Sequence, residues 1–315
     1  MEKQNISDYD KYNYDYQKYW DNKEINRNYE NEAEKSALLK LFNKQNTLPS
    51  IENAWFCDLG SGFGRLFDVY KKYYKNIILI DYSLENLKKA KELIEKKEEN
   101  SVYNVYFIAA NAYQLPFKNE SIDCLMSIRT IHHMEESEKF IDQIRSAIRS
   151  RGYLILEYAN KRHFIEVLRG ILGKSKMKPF NIEPYKRGDD LFFNFHPKYI
   201  YNKLSSGFSI LKSISVSNFR SGLIKKIIPL KILLPLDRAL QPFFNLIKFG
   251  PSIFILAQKK DHPKNEEEKE ITEISNVLQC PHCGDTEMII LKTEVRCKKC
   301  EKRYNVIDGI YDFRI

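Results

Sequence analysis

The glycine-rich segment FCDLGSGFGRL is the part of this chain whose residue types point most directly to chemistry. It places Gly60, Gly62 and Gly64 between an apolar run that predicts a strand and a run that predicts a helix. Glycine is needed where a chain turns tightly and where its backbone must approach a ligand closely. The free N–H groups of the following helix suit a ligand carboxylate or phosphate. The segment therefore predicts a ligand-binding loop, with Asp58 just before it.

An acidic residue follows the next predicted strand. The apolar run 77–80 ends in Asp81, 21 residues after Gly60. A carboxylate at this position can accept hydrogen bonds from both hydroxyls of a ribose. A nicotinamide-dependent dehydrogenase needs a glycine at position 65, where this chain has Arg65. The loop and Asp81 together favour a ribose-containing ligand of another kind.

The elements that position these residues alternate along the chain. Apolar periodicity predicts strands at 54–59, 76–80, 105–109, 122–128 and 152–158, and helices at 30–44, 65–74, 84–97 and 135–150. Five strands alternating with helices specify a parallel sheet covered on both faces. Two later strands are predicted at 208–216 and 252–258.

Several segments resemble the class I methyltransferases that use S-adenosylmethionine. The similar segments are DLGSGFG (58–64), DYS (81–83), ANA (110–112), LPF (115–117), ID (122–123), HH (132–133) and RGYL (151–154). The resemblance implies a doubly wound, mostly parallel, seven-stranded Rossmann-like α/β fold. It also implies that the protein is an enzyme with S-adenosylmethionine as its cofactor.

The resemblance also assigns roles within the cofactor site. It implies that the glycine loop holds the methionine part, Asp81 the ribose, and Asn111 with Ala112 the adenine. The family more often has aspartate at position 111, and an amide pairs with adenine through a different donor pattern. The predicted cofactor-binding residues are Asp58, Gly60, Ser61, Gly62, Gly64, Asp81, Tyr82, Asn111, Ala112 and Arg129.

The sequence does not assign a catalytic residue. Methyl transfer from a sulfonium needs mainly alignment and desolvation, and a base only for some acceptors. The candidates that follow the fourth and fifth predicted strands are His132, His133, Glu157, Asn160 and His163. Each histidine can equally cap a helix or pack beside one. Arg129 can bind an anionic substrate or form a structural ion pair.

The positive charge of the chain is concentrated in one region. Residues 161–249 hold 17 Lys/Arg and 5 Asp/Glu, while the whole chain carries +9. Within that region, 220–249 resembles an insertion between two strands that the family usually joins by a short turn. Its basic and apolar composition suits a membrane interface or a lid over a lipophilic substrate. A helical hairpin on the core and a dimer interface are the alternatives.

Four cysteines form two CxxC pairs near the C-terminus. Cys280, Cys283, Cys297 and Cys300 have the spacing of two knuckles that complete a tetrahedral Zn²⁺ site. The segment 278–315 resembles the small zinc ribbons that accompany methyltransferases acting on tRNA, rRNA and translation factors. Its 7 Lys/Arg against 6 Asp/Glu predict weak contact with nucleic acid. We therefore predict one structural zinc ion.

These observations predict four segments. They are a Tyr-rich segment and helix over the cofactor site (1–48), a methyltransferase domain (49–260), a charged linker (261–277) and a zinc ribbon (278–315). The predicted activity is methyl transfer to a small, lipophilic acceptor. The alternatives are methylation of RNA or of a translation-related protein, and a noncatalytic cofactor-binding scaffold. The polar N-terminus and the absence of a long apolar run predict a cytoplasmic protein, with contact at the membrane surface as an alternative.

Overall fold

The computed structural model describes residues 10, 16–21, 27–43, 53–97, 103–188, 191–261 and 271–314. The predictions for most of the Tyr-rich segment and most of the charged linker lie outside these residues. The helices are α1 (Tyr16–Asp21), α2 (Asn28–Phe42), α3 (Phe67–Tyr70), α4 (Leu84–Lys97), α5 (Ser137–Ala147), α6 (Phe164–Ile171), α7 (Pro197–Ser205), α8 (Gly222–Ile227) and α9 (Leu230–Ile247). The strands are β1 (Trp55–Leu59), β2 (Asn76–Asp81), β3 (Asn104–Ala109), β4 (Ile122–Ser127), β5 (Ile148–Ala159), β6 (Tyr185–Lys186), β7 (Phe193–Asn194), β8 (Phe208–Val216), β9 (Ser252–Lys259), β10 (Met288–Ile290), β11 (Glu294–Cys297), β12 (Arg303–Ile307) and β13 (Ile310–Asp312).

The central sheet has the predicted architecture. Its strands follow the order β3-β2-β1-β4-β5-β9-β8. The five from β3 to β5 are parallel, and β9 runs antiparallel to both β5 and β8. Helices cover both faces, because successive strand residues such as Phe56 and Cys57 belong to buried clusters on opposite sides. The doubly wound, mostly parallel α/β fold is therefore confirmed.

The cysteine-rich segment continues this sheet. Its strands β10 to β13 form an antiparallel meander, and β13 pairs in parallel with β3. Across the described residues the sheet therefore runs to eleven strands rather than the predicted seven. Val295 and Tyr304 join the buried cluster that also contains Trp55 of β1. The predicted limits of the domains stay predictions. The hydrogen bonds between β13 and β3 join the segment predicted as a zinc ribbon (278–315) to the one predicted as a methyltransferase domain (49–260).

The helix expected over 65–74 is much shorter in the structure. Only Phe67–Tyr70 is α-helical, because the glycine loop continues past Gly64 as a chain of tight turns. Gly64 has a φ of +75°, and its carbonyl accepts the Phe67 N–H at 3.0 Å. The binding loop is therefore followed by turns and one short helix.

The predicted insertion forms α8 and α9, which pack on α2. The Tyr29 hydroxyl of α2 donates to Asp237 of α9 at 3.0 Å, and Glu30 of α2 pairs with Lys225 of α8 at 3.0 Å. The outer face carries exposed Ile227, Ile232, Phe243 and Leu246. Part of the insertion is thus core structure, as in the hairpin alternative. Among the described helices, none has the length and apolar character needed to cross a lipid bilayer.

Candidate functional site

The glycine loop is fixed to the neighbouring strand by backbone hydrogen bonds. The N–H groups of Gly60 and Ser61 both donate to the carbonyl of Ile80, at 2.8 and 3.1 Å. Gly60 has a φ of +81°, and a Cβ there would lie 2.0 Å from Thr130 Oγ1. Position 60 therefore requires glycine for both its backbone conformation and its packing.

Asp81 ends β2 beside this loop. Its carboxylate accepts the N–H of Gly62 at 2.8 Å and the N–H of Ser83 at 3.0 Å. Burial raises the pKa of Asp81 to about 6, although both hydrogen bonds favour the ionised form. The two oxygens are thus oriented by the backbone, as a carboxylate that accepts ribose hydroxyls requires.

A cavity of about 680 Å³, measured out to its mouth, opens between the loop and the ends of the parallel strands. The predicted site residues that line it are Gly60, Gly62, Asp81, Tyr82, Asn111, Ala112, Arg129 and His133. It is also lined by residues that the sequence analysis missed, namely Leu59, Asn86, Ala110, Tyr113, Thr130 and Met134.

Three predicted cofactor-binding residues are not among those that line the cavity. Asp58 is buried in β1, where it accepts the Tyr70 hydroxyl at 2.9 Å, and burial raises its pKa to about 7. Gly64 packs against α4, because a Cβ at position 64 would lie 3.3 Å from the Cβ of Ala90. Ser61 lies in the loop itself. The positions of Asp58 and Gly64 suit support of the loop more directly than ligand contact.

Two buried polar atoms near the cavity have no hydrogen-bond partner in the described part of the chain. They are Ser61 Oγ and Asn86 Nδ2. Asn86 is 4% exposed and lies in the first turn of α4, five residues after Asp81. Buried polar groups are normally satisfied. Both atoms therefore fit hydrogen bonds to a polar cofactor. The position of Asn86, five residues after Asp81, is a sequence signal that could have indicated its role.

The two histidines occupy different environments. His133 lines the cavity, and its Nδ1 lies 2.8 Å from the Leu191 carbonyl oxygen. His132 is buried against Phe192, and burial, with further contributions from His133 and Arg129, lowers the pKa of His132 well below its usual value. Of the two, only His133 is placed to meet a ligand.

The polar residues after β5 contact the protein itself. Glu157 is buried and accepts the Ser252 hydroxyl and the Arg129 N–H. Asn160 donates to the carbonyls of Lys248 and Gly250, at 2.6 and 2.7 Å. His163 precedes α6, and burial lowers its pKa. Asn160 is thus structural, and Glu157 fixes the backbone of Arg129.

A buried glutamate in α2 ties the helix to both sides of the site. Glu34 pairs with Arg65 after the glycine loop at 2.7 Å and with Arg129 at the end of β4 at 2.6 Å. The Trp20 ring packs over both guanidiniums. Burial opposes ionisation, but the two guanidiniums lower the pKa of Glu34 to about 2. Arg129 thus has the ion pair that was one of its two predicted roles, and it also lines the cavity.

We expect Glu34→Gln to destabilise the protein by about 3 kcal/mol, because it leaves two buried guanidiniums without a counter-charge. Urea unfolding at neutral pH measures this loss. The parent loses the same stabilisation only as pH falls from about 4.5 towards 2, since the pKa is depressed in the folded state. Glu32→Gln is the matched control: Glu32 is an exposed residue of α2 paired with Lys35. An equal effect of both substitutions would contradict the prediction.

The four predicted metal ligands lie together. The Sγ atoms of Cys280, Cys283, Cys297 and Cys300 are all within 4.8 Å of one another. The Cys280–Cys300 and Cys283–Cys297 distances are 3.7 and 3.6 Å. A tetrahedral Zn²⁺ with bonds of about 2.3 Å separates its sulfurs by about 3.8 Å. The cluster therefore fits a zinc ion in both chemistry and spacing.

Comparison with known proteins identifies the central part of the chain. Residues 57–156 match the family model for a methyltransferase domain, which covers about a third of the chain. The chain is 33% identical over 132 residues to the uncharacterized protein MJ0638 of Methanocaldococcus jannaschii, and these residues are 42% of this chain and 49% of that protein. It is 31% identical over 115 residues to norajmaline N-methyltransferase of Rauvolfia serpentina, which are 36% of this chain and 39% of that enzyme. The chain thus spans half or less of these relatives.

Solved structures agree on the fold. The chain superposes on the [4+2]-cyclase SpnF with a TM-score of 0.50 and 14% identity, over 73% of this chain and 83% of that chain. At that identity the likeness concerns the fold alone. It also shows that the fold by itself does not fix the reaction.

Proposed function

We propose that this protein is an S-adenosylmethionine-dependent methyltransferase. The observation that carries the proposal is the cavity in which the glycine loop and the oriented carboxylate of Asp81 face each other, within a matched methyltransferase domain. Bound S-adenosylmethionine supplies an electrophilic methyl group on a sulfonium. The protein then has to align the acceptor with that methyl group and exclude water.

Each wall of the cavity has a proposed role in holding the cofactor. Asp81 accepts the ribose hydroxyls, and Asn111 with Ala112 contacts the adenine. The glycine loop holds the methionine part, and Ser61 Oγ donates to it. Asn86 Nδ2 supplies a further donor to the nucleoside. These roles are supported by the positions that line the cavity and by the two unsatisfied polar atoms.

His133 is the proposed base where the acceptor requires one. It lines the cavity, whereas His132 is buried beside it. An acceptor that is already a free amine, thiolate or enolate needs no base. The proposed acceptor is small and lipophilic, a choice supported by the cavity lining with its Leu59, Tyr113 and Met134 side chains.

A radiolabel transfer assay tests the function and separates its alternatives. Purified protein is incubated with methyl-labelled S-adenosylmethionine and, separately, with total RNA, total protein or a lipid and small-molecule extract. The proposal expects label in the extract. Label in RNA or protein supports the alternative acceptors. Cofactor binding without transfer to any fraction supports a scaffold.

Cofactor affinity should depend on pH through Asp81. Because its pKa is about 6 and ribose hydroxyls require the ionised carboxylate, we expect S-adenosylhomocysteine affinity to be constant above pH 6 and to fall by up to about tenfold per unit below it. Calorimetric titration between pH 5 and 8 measures this. Asp58→Asn is the control, because the pKa of Asp58 is also raised but Asp58 does not line the cavity. We expect this variant to show the same decrease in affinity below pH 6. Constant affinity down to pH 5 would refute the role of Asp81.

Contact with an anionic membrane surface is the proposed role of the outer face of α8 and α9. The support is the exposed apolar residues Ile227, Ile232 and Leu246 beside the exposed Lys226 and Lys231. We expect the double variant Lys226→Glu and Lys231→Glu to weaken sedimentation with anionic vesicles, most strongly at low salt, without lowering the melting temperature. Neutral vesicles serve as the control. A parent protein that does not sediment with anionic vesicles would exclude this contact.

The cysteine cluster is proposed to hold one structural Zn²⁺ per chain. The support is the spacing of the four sulfurs. Metal analysis of the purified protein should give one zinc for each chain.

A further inference from the structure

Two arginines near the cofactor cavity form no ion pair with another described residue. Arg27 precedes α2, and Arg220 follows β8. In the described part of the chain the Nε atoms of both are shielded from solvent and have no hydrogen-bond partner. The Arg27 guanidinium lies over the Tyr19 ring, 4.3 Å from its centroid. Buried guanidiniums are normally paired.

Contacts on either side of Arg220 place it along the first turns of α2. The N–H of Phe219 donates to the Tyr29 hydroxyl at 3.0 Å, and Lys225 pairs with Glu30 at 3.0 and 3.2 Å. Arg220 therefore lies on the same stretch of α2 as Arg27. The next turn of α2 carries Glu34, which binds Arg129.

The carboxylates in this region are already engaged. Glu30 pairs with Lys225, Glu34 with Arg65 and Arg129, and Glu157 accepts the Arg129 N–H and the Ser252 hydroxyl. The positively charged side chains are Arg27, Arg65, Arg129, Arg220 and Lys225. Among the described side chains of this region, these five cations face three carboxylates, which leaves an excess of two positive charges. Burial and repulsion from Arg129 lower the pKa of both Arg27 and Arg220, although Glu30 and Glu34 act in the opposite direction.

The excess positive charge lies at the carboxyl ends of the strands, where ligands of open α/β sheets bind. β8 runs parallel to β5, because β9 is antiparallel to both, and Val216 and Ala159 both pair with Ser252. The ends of β4, β5 and β8 therefore share the edge at which ligands of open α/β sheets bind. Arg129 links this region to the cofactor cavity, which it lines.

We infer that Arg220 and Arg27, together with Arg129, bind an oxyanion, a carboxylate or a phosphate, carried by the methyl acceptor. This inference rests on the proposed methyltransferase function. A guanidinium presents paired N–H donors that match the oxygens of either group. An anion bound here supplies the missing counter-charge and lies beside the cavity. The acceptor is thereby an acidic molecule, which adds a charged group to the lipophilic character proposed above.

Anion binding to the protein saturated with S-adenosylhomocysteine tests the inference. Thermal unfolding is followed with added inorganic phosphate or acetate, at ionic strength held constant with chloride. We expect at least one of the two anions to raise the melting temperature of the parent, and the one that does so identifies the oxyanion. Arg220→Met should weaken the apparent affinity for that anion by about tenfold or more, because it removes a charged hydrogen-bonding group. Lys176→Met, which removes an exposed cation between α6 and β6, should leave the affinity unchanged.

A second readout separates this role from a structural one. Without added anion, Arg220→Met should melt at or above the temperature of the parent, because it removes a half-buried cation that forms no ion pair with another described residue. A lower melting temperature would show that Arg220 supports the fold and would overturn the inference. The same holds if neither anion stabilises the parent, or if Arg220→Met responds like the parent. Titration with S-adenosylhomocysteine alone tests the proposed function separately. A protein that binds S-adenosylhomocysteine but neither anion would refute the anion site and leave the proposed function intact.

Discussion

We expect the Asp81→Ala variant to bind S-adenosylhomocysteine about 100-fold more weakly than the parent, or not detectably. The substitution removes the proposed ribose acceptor, whose two charged hydrogen bonds contribute on the order of 1.5–3 kcal/mol each. It also frees the N–H groups of Gly62 and Ser83, which the carboxylate holds in place at 2.8 and 3.0 Å. Calorimetric titration at pH 7.5 measures the change.

A matched control separates the role of Asp81 from a general effect of lost charge. Asp68 is a half-exposed carboxylate in α3 that pairs with Lys71 and Lys97 on the surface. We expect Asp68→Ala to leave the affinity within about twofold, because surface pairs contribute little. Unchanged affinity in Asp81→Ala would mean that the ligand does not lie in this cavity.

The Cys297→Ser variant should not bind the proposed zinc and should lose much of the order of residues 278–314. A four-sulfur zinc site provides folding free energy directly, and a ribbon of this size has little core of its own. The sheet hydrogen bonds between β13 and β3 are lost with it, so we expect a fall in the melting temperature of the whole protein. Limited proteolysis and metal analysis measure the two effects.

The control for this prediction lies in the same knuckle. Lys299→Ser changes an exposed residue between Cys297 and Cys300 and leaves all four thiols intact. It should retain one zinc and the melting temperature of the parent. A Cys297→Ser protein that resists protease and melts like Lys299→Ser would show that the ribbon folds without metal.

The parallel sheet could be predicted from the sequence because its strands are continuous apolar runs. Strands such as Asn76–Asp81 are buried on both faces, so most of their positions carry apolar side chains. Such short, continuous apolar runs can be recognised in the sequence. The positions of Gly60 and Asp81 followed from the same order of elements. The long stretch 84–97 was predicted as a helix with the observed bounds, because its apolar residues recur at helical spacing.

The contacts that the sequence could not predict connect distant parts of the chain. The pairing of β13 with β3 joins short segments about 200 residues apart, and neither carries a local signal for its partner. The same holds for Glu34, which looks like an ordinary exposed residue of an acidic helix but lies buried between two arginines. The sequence places Asn86 five residues after Asp81, but only the packing shows that its buried amide has no partner among the described residues.

The pairing of β13 with β3 also decides what becomes of the sheet's outer edge. Without the ribbon, β3 would be an edge strand, and its row of unpaired N–H and C=O groups would be open to pairing with another molecule. The residues of β3 that pair with β13 include the buried Phe107 and Ile108. We therefore expect the pairing with β13 to protect this strand from pairing with other chains. A version of the chain cut before residue 278 is best understood as a protein prone to self-association rather than as a smaller enzyme.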